Sequence, residues 1–294
     1  MKIKSGRSKA YGIACLIIII ILALLFLFPL YWIVTGSFKT AQDIYAAKPA
    51  WWPTAWTLDN FARLFNRRSA PLFQIGPLAG PMVPGAIRWL VNTVFMAVMA
   101  MILTCITAAM AGYALAKKRF VGRTVLFSLI ICAMALPKQV ILIPLLKEMS
   151  LLNLWDKIWA VIFPTVGWPF GVFLMKQFAE GIPGEILEAA RVDGAGELRT
   201  FSTIVVPIIK PGIGALAIFT FINSWNDYFM QLVMLASSSN YTISLGIATM
   251  QSETSVDMGL LMAGAALAAI PIIIVFVAFQ KYFTQGIAMG AVKG

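Results

Sequence analysis

The sequence predicts an all-α membrane protein with six transmembrane helices, and three observations carry that prediction. Apolar types make up 60% of the 294 residues and charged types only 12%, against roughly 25% charged in soluble domains. Residues 10–38, 89–116, 158–175 and 258–280 contain no Asp, Glu, Lys or Arg, and a helix crosses the hydrocarbon in about 20 apolar residues. Basic residues collect at the ends of these runs, as they do in membrane proteins oriented by cytoplasmic Lys and Arg.

The spans follow in order. The first, about 11–36, comes after Lys2, Lys4, Arg7 and Lys9. It is longer than a signal-peptide core of roughly 7–15 residues, so it reads as a retained helix. The second covers about 86–115. The third, about 124–146, contains Lys138 directly after Pro137, a residue that kinks a helix and frees a carbonyl. Lys138 there suits either snorkelling to a helix end or a gating hinge. The fourth covers about 157–177. The fifth, about 209–236, contains Asp227, and the sixth covers about 258–281. One domain, residues 1–294, holds all six.

Orientation follows from loop charge. The N-terminal tail has four Lys or Arg, the stretch 117–123 four, and the loop after the fourth span four, namely Lys176, Arg191, Arg199 and Lys210. The connection between the fifth and sixth spans has none. Both termini and the two dense loops are therefore expected in the cytoplasm. The stretch 37–88 holds six basic residues against this pattern, but long loops decide orientation less.

Several function classes drop out. The net charge of +11 does not point to nucleic acid, because no basic stripe is interleaved with aromatics. With no histidine in the chain, His triads and His metal sites are absent. Cys15, Cys105 and Cys132 stand far apart in apolar runs and read as small buried hydrophobes. No Gly-x-x-x-x-Gly-Lys-[Ser/Thr] phosphate loop occurs, so no ATP or Mg is expected on this chain.

The loop at about 180–207 is the most specific feature. Pro183 and Glu185 suit a helix start, and Gly194 or Gly196 a helix end. A second short helix is expected from Glu197 towards Pro207, with Glu188 and Arg191 spaced to pair. On these residues alone the loop could equally be an amphipathic connector on the membrane surface. On the fifth span Thr220, Asn223, Asp227 and Gln231 fall within a sector of roughly 80°. That stripe reads as a lining of a translocation path or as a satisfied contact between helices. Trp51, Trp52 and Trp56 suit an interfacial belt, with a protein contact as the alternative.

The spacing Glu188-Ala189-Ala190, three residues, Gly194, nine residues, Ile204, one residue, Val206-Pro207 resembles the EAA motif. That motif marks permease subunits of binding-protein-dependent ABC importers, although Leu is usual where Val206 stands. Ile182-Pro183, Asp193-Gly194-Ala195, Leu136-Pro137 with Gln139, Ile143-Pro144, Pro169-Phe170, Trp225-Asn226-Asp227 and Val292-Lys293-Gly294 are similar to the carbohydrate-importing, MalG-like branch. The likeness is close over about 85–294 and loose before it.

The resemblance implies the type I importer (MetI-like) permease fold in a bacterial or archaeal inner membrane. It implies that Glu188, Ala189, Ala190, Asp193, Gly194, Ile204 and Pro207 dock the chain onto an ATPase. Two such ATPase subunits carrying ATP and Mg, a second homologous permease, an extracytoplasmic solute-binding protein and membrane lipid are the implied partners. The tail 285–294 is a further candidate ATPase contact. The implied solute is a sugar, oligosaccharide or polyol, and Gln139 joins the fifth-span stripe as a candidate path residue. Another solute class stays open. An ion-coupled secondary transporter is disfavoured, because Asp227 is the one intramembrane carboxylate. A membrane enzyme is disfavoured by the missing histidines and the lack of clustered carboxylates.

Overall fold

A computed structural model describes residues 5–66, 68–75, 78–251 and 256–291. The chain divides into two compact units, residues 1–68 with 247–269 and residues 69–246 with 270–294.

In the first unit, α1 (Ser5–Ser37) carries the expected first span on one uninterrupted helix, Pro29 included. Its apolar side chains from Ile13 to Phe28 are largely exposed, as a lipid-facing helix requires. Two short helices follow, α2 (Ala41–Ile44) and α3 (Asp59–Asn66). Asn60 ties α3 to the end of α1, its Nδ2 donating to the carbonyls of Ser37 and Lys39 at 2.9 Å each. Asp43 accepts from the Thr54 backbone N–H at 3.0 Å and from its hydroxyl at 2.7 Å. Trp51, Trp52 and Trp56 stay exposed in an aromatic cluster with Phe28, Tyr31 and Trp32.

The second unit opens with a feature that the all-α reading did not foresee. Residues 69–75 and 78–84 contribute two small antiparallel ribbons, β1 (Ser69–Pro71) with β4 (Met82–Pro84) and β2 (Gln74–Ile75) with β3 (Leu78–Ala79). Gly and Pro punctuate this stretch too densely for a helix.

Helix α4 (Gly85–Lys117) is the centre of the second unit. The expected third span is two helices, α5 (Arg123–Met134) and α6 (Lys138–Leu151), bent by 107° at their junction. Pro137 removes a donor and pushes Leu136 out of helical backbone, which ends α5 there. The fourth span is α7 (Trp159–Val166) and α8 (Pro169–Glu180). Helix α9 (Gly184–Val192) and the single turn α10 (Glu197–Thr200) lead into the fifth span, α11 (Val206–Asn226), which breaks at Asp227 before α12 (Tyr228–Met234). The short α13 (Ile243–Ala248) and the long α14 (Met258–Ala291) complete the chain. Helix α14 runs past the expected end of the sixth span, while Val292, Lys293 and Gly294 lie outside the described residues.

Hydrogen bonds show that the bent pair α5–α6 traverses the unit. Where α4 begins, Trp89 Nε1 donates to Ser238 O at 2.7 Å, and Asn92 Nδ2 to Ser239 O and Tyr241 O at 2.9 Å. Asp156, just beyond α6, accepts from the backbone N–H groups of Ala236 and Ser237 at 2.8 Å each. The end of α6 therefore lies beside the start of α4. Where α4 finishes, Lys117 Nζ donates to Ile182 O at 2.6 Å, so the start of α5 lies at the opposite end with the 180–207 loop. Counted this way, the described residues carry six candidate spans.

The core of the second unit uses small residues to bring helices close. Ala108, Ala109, Met175, Ile209 and Leu216 are buried between α4, α8 and α11. Cys105 is buried with them, while Cys132 is exposed on α5. An apolar run in a spanning helix faces lipid as readily as core, which is why the expectation of burial fails for Cys132.

Candidate functional site

The 180–207 loop is built by its caps. Pro183 precedes α9 with φ −59° and ψ 138°, so its missing N–H costs nothing. At the other end Gly194 N–H donates to Arg191 O at 3.0 Å and Ala195 N–H to Ala190 O at 2.9 Å. That pair of bonds is a Schellman closure, and it needs a left-handed residue, which Gly194 supplies at φ +73°. Gly196 then starts α10, with Thr200 N–H donating to Gly196 O at 2.9 Å.

The second helix of the loop is not the separate piece that was expected. From α10 the chain widens into a π-turn over Phe201–Val205 and continues directly into α11. Pro207 has no N–H to offer the carbonyl of Thr203, and its ring crowds that carbonyl; the wider turn relieves both.

The loop is clamped to the helices beneath it. Leu187 is buried in the core with Tyr113, Ile182 and Val205, and Ala190 is buried on the same helix. Lys117 Nζ donates to the carbonyls of Ile182 and Glu180. Lys118 Nζ pairs with Glu197 Oε2 and stands 5.2 Å from the Tyr113 ring centre. Among the described residues Arg191 pairs not with Glu188 but with Glu197, at 3.8 Å. The opposite face stays open, with Glu188, Ala189, Asp193 and Gly194 exposed. Two large apolar side chains stand out of it, Val192 at 88% exposure and Leu198 at 77%. Ile204 lies half-buried in the π-turn and Pro207 exposed in the first turn of α11.

The fifth-span stripe divides. Gln231 is fully buried, donating from Nε2 to Ser224 O at 3.1 Å and accepting at Oε1 from the Thr242 hydroxyl at 2.5 Å. Thr220 is buried as well, and among the described residues neither its hydroxyl nor that of Ser224 finds a partner. Asn223 and Asp227 instead meet Lys138. Its Nζ lies 3.0 Å from Asp227 Oδ2 and 3.3 Å from Asn223 Oδ1. Gln139 is exposed at the start of α6 beside them in sequence.

Sequence reasoning missed the clamp formed by Lys117, Lys118 and Glu197, and it missed the partner of Lys138. The second was within reach, since charges at membrane depth seldom stand alone.

The model of one protein family, the binding-protein-dependent transport system inner membrane component, matches residues 105–289. The chain belongs to that family. As such an inner membrane component it is a transport permease of an ABC importer and not an enzyme, with ATP hydrolysis on separate subunits and a solute-binding protein as a further partner. The arabinooligosaccharides transport system permease protein AraQ of Bacillus subtilis (strain 168) is 32% identical over 292 residues, 99% of each chain. The maltodextrin transport system permease protein MdxG of the same organism is 32% identical over 93% of each chain. A crystal structure of a bacterial ABC transporter involved in importing the acidic polysaccharide alginate matches in fold. Its TM-score is 0.77 at 23% identity, covering 96% of this chain and 100% of that one.

Proposed function

We propose that all 294 residues serve as one permease domain that passes a sugar, oligosaccharide or polyol, in company with a second homologous permease, two ATPase subunits and a solute-binding protein. Both termini and the 117–123 and 180–207 loops face the cytoplasm. Glu188, Ala189, Ala190, Asp193, Gly194, Ile204 and Pro207 belong to the knob that seats in the ATPase, which holds the ATP and Mg. Closure of the ATPase dimer moves the knob and rocks the spans. The names of AraQ and MdxG support the solute class. Asn223, Asp227 and Gln139 face the path; Thr220 and Gln231 stand behind them in the present state.

The observation that carries the docking role is the two-sided loop. Its inner face is fixed to α4 and α11, so movement of the loop is movement of the spans. Its outer face holds Val192 and Leu198 in the open, where a partner would bury them. The test is Val192→Asp with Leu198→Asp in the assembled transporter. Membrane insertion is expected to stay normal while ATPase co-purification and uptake fall at least about tenfold, as for buried apolar anchors at an interface. Unchanged co-purification would overturn the docking role. Uptake of amino acids or peptides, with none of arabino-oligosaccharides or maltodextrins, would replace the sugar reading.

A further inference from the structure

Two broken spans meet at one ion pair. Helices α5 and α6 part at Ala135-Leu136-Pro137, and α11 and α12 part at Asp227. Lys138 is the first residue of α6. A cation is disfavoured there, at the positive end of a helix, and costly at membrane depth. Asp227 offsets both. Its Oδ1 accepts the Met230 N–H at 3.3 Å and so caps α12, while Oδ2 takes the Lys138 ammonium at 3.0 Å. Asn223, one turn earlier, adds a third oxygen to the cluster at 3.3 Å. Lys138 thus holds both helix breaks together across 89 residues of sequence.

Two further facts mark this junction as one state of a moving part. The pair is not sealed in the core: the Lys138 side chain is half exposed and that of Asp227 17% exposed. On consecutive turns of α11, Thr220 and Ser224 lie within about 60° of Asp227, and their buried hydroxyls have no partner among the described residues. Unpartnered buried hydroxyls are rare in finished packing.

We propose that Lys138 and Asp227 form the latch of the translocation path. Closed, the pair is neutral and pins the two breaks together. Open, it frees an ammonium, a carboxylate and the Asn223 amide, which is the donor and acceptor set that a polyol's hydroxyls require, and turns Thr220 and Ser224 towards them. This rests on the permease reading above and extends it to a gate.

The experiment uses the full transporter in proteoliposomes with its binding protein, comparing Lys138→Met, Asp227→Asn and the double variant. Two quantities are read, ATP-driven uptake and the ratio of solute-stimulated to basal ATP hydrolysis. Each single variant strands a charge and is expected to lower uptake about tenfold. The double variant is expected to lose no more than the worse single, because coupled residues are not additive. The hydrolysis ratio should fall towards one in all three, since an unlatched path no longer waits for solute. Additive losses in uptake, or a ratio that stays at the wild-type value, would overturn the latch. If either single variant fails to assemble, Lys138→Arg and Asp227→Glu keep the charges and decide the matter. Both should hold the ratio near wild type, and a collapsed ratio in both would reject the pair. Absence of ATP-driven uptake in the wild-type complex would instead defeat the permease reading.

Discussion

At Gly194 the backbone runs at φ +73°, and a Cβ built there would meet nothing within 4 Å. Space is therefore no obstacle to a side chain, and the backbone angle is. Gly194→Ala should weaken the loop closure by about 1 kcal/mol, whereas Gly194→Asn, which tolerates this region, should lose little. Retention of the ATPase on the purified complex is the measurement; equal retention in both variants would show that the left-handed angle is dispensable. Asp156 makes a second residue-scale case. Burial alone would raise its carboxyl, but the Ser237 hydroxyl and N–H and the Ala236 N–H outweigh that and hold it below the ordinary value. A folded-state value below the unfolded one adds stability that is present above the unfolded value of about 3.9 and is lost as pH falls through the folded one. The melting temperature of the wild type should thus drop below about pH 4, and Asp156→Asn should show a smaller drop. Parallel curves for the two would remove Asp156 from the acid response.

Helix packing sets the next scale. Helix α4 meets α8 so closely at Gly112 that a Cβ there would stand 2.6 Å from the Lys176 backbone nitrogen and 2.6 Å from Met175 Cβ. Backbone cannot give way as a flexible side chain can, so Gly112→Ala should destabilise the solubilised protein by about 1–3 kcal/mol. Gly184→Ala, where nothing lies within 4 Å, is the control expected to melt like wild type. These elements were legible in the sequence to different depths. Charge-free runs located four of the expected spans, because lipid forbids unpaired charge over a fixed length, while the third and fifth had to be read through Lys138 and Asp227. Leu136-Pro137 marked the break between α5 and α6 but not its 107° angle, which the surrounding helices decide. The loop motif gave α9 and its Gly194 closure through local rules. It did not give the π-turn into α11, which answers a clash between Pro207 and a carbonyl one turn back. The Lys138–Asp227 pair was legible only as two charges in need of partners; no local signal joins residues on different spans, and the order in which spans pack decides which charges meet.

The path of the whole chain decides what that pair can do, because a latch must lie on a route that crosses the membrane. A strongly bent pair such as α5–α6 could in principle enter and leave by the same side. The hydrogen bonds argue otherwise: Asp156 after α6 joins the Ala236–Ser237 backbone at the end where α4 starts, while Lys117 before α5 joins Ile182 at the end where α4 finishes. Single cysteines placed in a chain with Cys15, Cys105 and Cys132 replaced by serine turn this into a labelling experiment. Val121→Cys and Val192→Cys, both highly exposed, should react with a membrane-impermeant maleimide in inverted vesicles and not in intact cells. Ser238→Cys, beside the start of α4, should do the reverse. If Val121→Cys and Val192→Cys labelled from opposite sides, α5–α6 would be a re-entrant hairpin and the six-span route would fail. If the sides were exchanged, the excess of Lys and Arg on the 117–123 loop would have misjudged the orientation. The 180–207 knob would then face away from any cytoplasmic ATPase.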